Sequence, residues 1–238
     1  MKKLLLLVSV VAFSFSLNAQ GLKGILKEVS KKTNSSSSSL SNEEVISGLK
    51  EALNVGANNA GQKLSAADGF FKNAALKILM PEEAKKVESK LRSFGMGKQV
   101  DNAILSMNRA AEDASKEIAP IFVNAIKEMS FQDAMSILKG GDFAATDYMK
   151  GKTTASLTEA FRPIIEKSLE KVDATKHWNT VFTSYNQFSK EKVETDLVAY
   201  VTEKALAGVF LQLGLEEQKI RKDPVARTTE ILKKVFGS

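Results

Sequence analysis

Apolar side chains recur at three- and four-residue steps along most of this chain, which is the spacing of one helix face. Val45, Ile46, Leu49, Leu53, Ala57, Ala60 and Leu64 form the first such stripe. Ser41 with Glu44 in front of it has the form of a capping box. Pro81, Glu82 and Glu83 suit the first turn of a second helix, which Gly95 should end. A third helix is expected from about Lys98 to Ile118, through Val100, Ile104, Leu105, Met107 and Ala111. Pro120 then starts the next helix or kinks this one. Ser130 should cap a short helix carrying Met135, Ile137 and Leu138, with Gly140 and Gly141 closing it. Further helices are expected over 143–150, 154–172 and 175–189.

The stretch 196–215 is apolar nearly all round and reads as a central core helix. Glu203 and Lys204 interrupt it, and its uncharged part falls well short of the roughly 20 residues of a bilayer span. Asp223 and Pro224 should cap a last helix with Val225, Thr228, Leu232 and Phe236 as its stripe. No alternating strand pattern and no hairpin turn stands out. The fold class is therefore all-α: a single helical-bundle domain, 41–238, of about eight helices around 196–215.

The start of the chain follows a different pattern. Lys2 and Lys3 precede an apolar run from Leu4 to Leu17, and Asn18-Ala19 follow. This is the layout of a secretory signal peptide spanning 1–19, cut near Ala19, and the run is too short for a membrane span. The expected address is periplasmic or extracellular, with no membrane span in the mature protein. Residues 20–40 read as a leader, with a short amphipathic helix over 21–32 and a linker at Ser35–Ser39.

Composition narrows the function classes. There is no cysteine, so neither a disulfide nor a thiolate site is available. The formal charge is +6, falling to +4 without Lys2 and Lys3, and basic residues alternate with acids. Nucleic acid is not an expected partner, since that needs concentrated basic clusters. The single histidine, His177, stands beside Trp178 and is too little for a metal site or a Ser-His-Asp triad. Gly151-Lys152-Thr153 lacks the upstream glycine and strand of a phosphate loop, and Gly95-Met96-Gly97 lacks the strand of a dinucleotide turn. Both read as helix-ending glycines. No cofactor is implied.

Some candidate chemistry remains. Asp133, Asp142, Asp147 and Glu159 could supply a carboxylate hydrolase, although Asp142 reads more simply as an N-cap. Phe70 and Phe71 are adjacent aromatics that cannot both face one helix-packed core, so one of them is a candidate contact residue. Arg221, Arg227 and Thr228 surround the helix start set by Asp223 and Pro224. They could hold an anion there, or Arg227 could brace the last helix against an acid.

Several of these stretches also carry a family likeness. Met107-Asn108-Arg109-Ala110-Ala111-Glu112, Ile137-Leu138-Lys139-Gly140, Ala144-Ala145-Thr146 with Tyr148, Phe161-Arg162-Pro163, and Asp223 through Thr229 with Lys233–Phe236 resemble the bacterial family catalogued as domain of unknown function 4197. The last motif is the long and specific one. The likeness covers about 41–237 and implies an exported, all-helical bacterial protein. It implies no established activity and no catalytic residues. The function expected from the chain is a non-enzymatic binding protein of the cell envelope whose partner is an envelope protein or an apolar ligand. The alternatives are a carrier of an apolar ligand such as a lipid and a cofactor-free carboxylate hydrolase.

Overall fold

Ser41 opens the fold as its spacing predicts. Its hydroxyl accepts the Glu44 N–H, and the Glu44 carboxylate accepts the Ser41 N–H at 2.9 Å. The computed structural model describes residues 41–171, 174–175, 178–179 and 196–236. The expected signal peptide, leader and linker, most of the helix expected over 175–189, and His177 lie outside these residues.

Eight α-helices are described: α1 (Asn42–Ser65), α2 (Lys85–Ser93), α3 (Gly97–Ala114), α4 (Ile118–Lys127), α5 (Phe131–Lys139), α6 (Ala144–Glu170), α7 (Leu197–Lys222) and α8 (Glu230–Phe236). No strand occurs among the described residues, so the all-α class holds. The long helix α7 is the hub. α6 and α1 pack along it, α3 packs against both of these, and α8 lies on α1. Val201, Ala205 and Val209 of α7 are fully buried, as are Leu157, Phe161 and Ile165 of α6. By length and composition α7 could cross a membrane, but two-thirds of its most apolar window is buried inside the fold.

The boundaries differ from the sequence pattern in four places. First, 143–150 and 154–172 are one helix, α6. Gly151 sits in its interior, because buried Met149 and Thr153 on either side tie the turn to the core. That outweighs the roughly 1 kcal/mol cost of a helical glycine. Pro163 also lies inside α6, on the exposed face, where water can serve the carbonyl that loses its partner. Second, the helix expected from 98 to 118 ends at Ala114. A 3-10 turn over Ser115–Glu117 follows, and Pro120 falls in the first turn of α4. Third, Asp142 is not an N-cap. Phe143 occupies that position without a capping bond, and Asp142 pairs with Lys222 at 2.6 Å. Fourth, Asp223 and Pro224 cap a 3-10 turn (Pro224–Ala226), and α8 begins only at Glu230. Val225 is consequently 85% exposed and Thr228 exposed, while Leu232 keeps its core place.

Candidate functional site

Every helix start leaves N–H groups without partners inside the helix. α6 has no local cap, and the gap is filled from across the bundle. The Glu217 carboxylate, on α7, accepts the Ala145 N–H at 3.0 Å, the Thr146 N–H at 2.8 Å and the Thr146 hydroxyl at 2.8 Å. A negative charge at this end also complements the helix dipole. Arg221, one turn further along α7, donates to Glu217 at 2.9 Å and to the Ile137 carbonyl at the end of α5 at 2.8 Å. One buried ion pair thus joins three helices.

Glu216 faces the other way, toward α1. It takes a short ion pair from Lys63 and a 2.8 Å bond from buried Gln212. The carboxylate holds Lys63 above the ordinary lysine range, and the neighbouring ammonium of Lys63 pushes Lys219 down.

A second cluster clamps the segment between α1 and α2. Asn108, fully buried on α3, accepts the Ile78 N–H at 2.9 Å and donates to the Ile78 carbonyl at 2.8 Å. Glu112 accepts the N–H groups of Phe70 and Phe71 at 3.1 and 3.2 Å. Arg109 bridges Glu112 at 2.6 Å to Asp68 at 2.7 Å. Asp68 holds a left-handed backbone with φ 69°, and Lys72 followed by Arg109 keeps its carboxyl below the usual range.

This arrangement decides where the sequence-predicted residues fall. Phe70 is fully buried. Its ring lies so close to Gly208 of α7 that a Cβ there would be 2.5 Å from Cε1. Phe70 therefore offers no contact surface. Phe71 is half-buried under Lys77, whose Nζ is 4.1 Å from the ring centre, with Arg109 at 5.8 Å. Arg227 braces the C-terminal segment, but not against an acid. Its guanidinium donates to the Ile220 carbonyl at 3.0 Å and to the Arg221 carbonyl at 2.9 Å, the last turn of α7. A cation suits that end of a helix dipole. Arg221 is occupied by Glu217, and Thr228 points to neither arginine in any described hydrogen bond. Asp223 accepts the Val225 N–H at 2.9 Å, and Pro224 opens the 3-10 turn. The structure does not bring these residues together as an anion cradle.

The four candidate carboxylates do not converge either. Asp133 is spent in the Ser130 capping box and Asp142 on Lys222. Asp147 and Glu159 are exposed on α6, twelve residues or about 18 Å apart along its axis. Paired glycosidase carboxylates stand about 5 to 9.5 Å apart. Among the described residues no group of three or more metal-ligating side chains occurs. A cavity lined by Leu53, Ala145, Leu213, Glu217, Ile220 and Phe236 measures about 20 Å³, room for one water.

A few large apolar side chains stay outside the bundle. Leu211 and Leu215, one turn apart on α7, are 44% and 43% exposed, and the Phe143 ring lies over Gly214 beside them. The apolar stretch 196–215 placed Leu211 and Leu215 in the core helix, and Asn108 and Glu112 stood out only within the family motif; Phe143, Gln212, Glu216 and Glu217 were not singled out. Two adjacent acids inside an apolar helix were the signal for the last pair.

No curated protein and no solved structure matches the chain. A family model matches residues 39–237, nearly all of the described fold. The chain belongs to the family described as protein of unknown function (DUF4197).

Proposed function

We propose that this is an exported, non-enzymatic interaction protein of the cell envelope, and that the Phe143, Leu211 and Leu215 surface on α7 receives an apolar side chain of a protein partner. The observation that carries the reading is this surface. Three large apolar side chains stand exposed around a helix that is otherwise the core of the molecule. Such a patch on a soluble domain marks a contact site when it is contiguous. The buried polar groups support the reading from the other side. Asn108, Glu112, Gln212, Glu216 and Glu217 are all engaged with backbone or side-chain partners. Export rests on the 1–19 pattern of basic start, apolar run and small residue.

Among the described residues, the apolar cavity beside Glu217 is far smaller than the roughly 300 Å³ or more of ligand pockets, and gives the carrier alternative no support. The hydrolase alternative finds Asp133 and Asp142 already engaged and Asp147 and Glu159 far apart along α6. The test uses a photo-crosslinking residue at Leu211 and, as control, at exposed Lys150 in intact cells. The expected result is a protein adduct at 211 and none at 150, on chains whose mass begins at Gln20. Chains that keep Met1 in the cytoplasm overturn the address. The lack of an adduct at 211 overturns the interaction surface.

A further inference from the structure

The turn between α2 and α3 points outward and is built to stay there. α2 buries only Val87, so this arm of the hairpin is lightly attached to the core. Its end is a Schellman cap. The Met96 N–H donates to the Leu91 carbonyl at 2.9 Å, and the Gly95 N–H donates to the Arg92 carbonyl at 3.1 Å. Gly95 supplies the required left-handed φ of 79°, with nothing within 4 Å of where a Cβ would be. The cap folds Met96 back toward Leu91 and leaves Phe94 at the point of the turn, 78% exposed. Met96 beside it is also exposed. An aromatic held there by a defined cap contributes nothing to the core and is already ordered before it meets a partner.

The charges around it are sorted. Arg92 is taken by Glu88 at 2.9 Å and Asp101 at 2.7 Å, which removes both acids from the tip. Lys85 is paired with Glu82. Lys90, one helical turn before Phe94, and Lys98, in the first turn of α3, have no ion-pair partner among the described residues and are exposed. The tip therefore presents one projecting aromatic, one thioether and two unpaired ammonium groups. A protein partner would have to supply a pocket for Phe94 and acids on both sides of it. An anionic bilayer supplies both everywhere, through its headgroup–acyl boundary and its phosphates.

We infer that the Phe94 turn is a membrane-surface contact: Phe94 and Met96 enter the headgroup–acyl boundary of an anionic bilayer, while Lys90 and Lys98 meet the lipid phosphates. This adds a second partner to the envelope role proposed above, and its test does not involve the Leu211 surface. The test places a reporter at the tip of the full chain, as Phe94→Trp. The parent's own Trp178 is buried and serves as the baseline. In vesicles of equimolar phosphatidylcholine and phosphatidylglycerol, Phe94→Trp should shift its emission to the blue and be quenched by brominated lipid, with no such change in the parent. Lys90→Gln with Lys98→Gln should weaken partitioning about tenfold or more, as should high salt. If the variant co-sediments while position 94 stays in a water-like environment, binding comes from elsewhere, such as the Leu4–Leu17 run, and the inference falls. An equal response in pure phosphatidylcholine, or unchanged partitioning after the double lysine substitution, overturns the anionic recognition.

Discussion

The two halves of α7 are one continuous helix held by two different kinds of force. From Leu197 to Phe210 the buried side chains are Leu, Val, Ala and Phe, with Thr202 bonded back to the Val198 carbonyl. From Leu211 to Lys222 the buried set includes Gln212, Glu216 and Glu217. The first half is fixed by close packing, the second by bonds that also close neighbouring helices. Apolar packing tolerates exchange of one aliphatic side chain for another of like volume. A buried carboxylate that caps another helix tolerates little, because each substitution leaves a donor with no acceptor. The polar half is thus the more specific and more fragile part of the hub, and the exposed Leu211 and Leu215 sit on it.

Removing the Glu217 carboxylate should show this most strongly. Glu217→Ala leaves the Ala145 and Thr146 N–H groups unbonded and strands Arg221, which is 15% exposed, beside them. Breaking one side of such a buried pair costs about 3–5 kcal/mol. In a domain of this size that is a drop of about 6–20 °C in melting temperature. Glu217→Gln keeps acceptor oxygen but loses the charge, and should fall between parent and Ala. If Glu217→Ala melts with the parent, the α6 start is held by something else and the contrast between the halves is wrong.

The same contrast explains what could be read from the chain. Periodicity located α1, α7 and the all-α class, because burial of a helix stripe is a local, repeating constraint. It misplaced the break at Gly151 and the start of α8, where tertiary packing overrides local turn signals. The polar braces were hidden for a related reason. Glu217 and Ala145 are 72 residues apart, and Glu112 and Phe70 are 42 apart, so no spacing rule joins them. Arg227 was legible as a brace from its place after Asp223-Pro224. Its partner was not, since backbone carbonyls leave no mark on a sequence. Phe70 goes fully inside and Phe71 packs partly buried against the same core, and which one went deeper depended on Gly208 far downstream.

Gly208 provides the matching probe of the apolar half. A Cβ there would stand 2.5 Å from Phe70 Cε1 and 3.1 Å from Cζ. The Phe70 backbone is pinned by Glu112, so the ring has little room to withdraw. Gly208→Ala gains about 1 kcal/mol of helix propensity and should lose about 1–3 kcal/mol to overpacking. The expected net effect is a modest destabilisation in urea unfolding, smaller than that of Glu217→Ala. Phe70→Leu in the same chain should recover part of it by opening space. A stabilised Gly208→Ala would mean that this half is loosely packed, and that its tolerance has nothing to do with apolar exchange.

The smallest effect should separate the halves by pH. Lys63 on α1 bonds Glu216, and that hydrogen bond raises its pKa against the opposing effect of burial. A lysine whose folded pKa is raised contributes stability that is complete below the unfolded value, about 10.4. The contribution is lost as pH rises through the higher folded value. Lys63 is about half exposed, so solvent screening keeps its share below about 1 kcal/mol. Between about pH 10 and about pH 12 the urea midpoint of the parent should fall. Lys63→Met should fall less over the same interval, because it has already lost the pair. Gly208→Ala should track the parent, since its lesion lies among uncharged side chains. Equal alkaline slopes in all three chains would show that Glu216 is held by Gln212 and its other neighbours without Lys63, and the polar half would then owe its hold to hydrogen bonds rather than to charge.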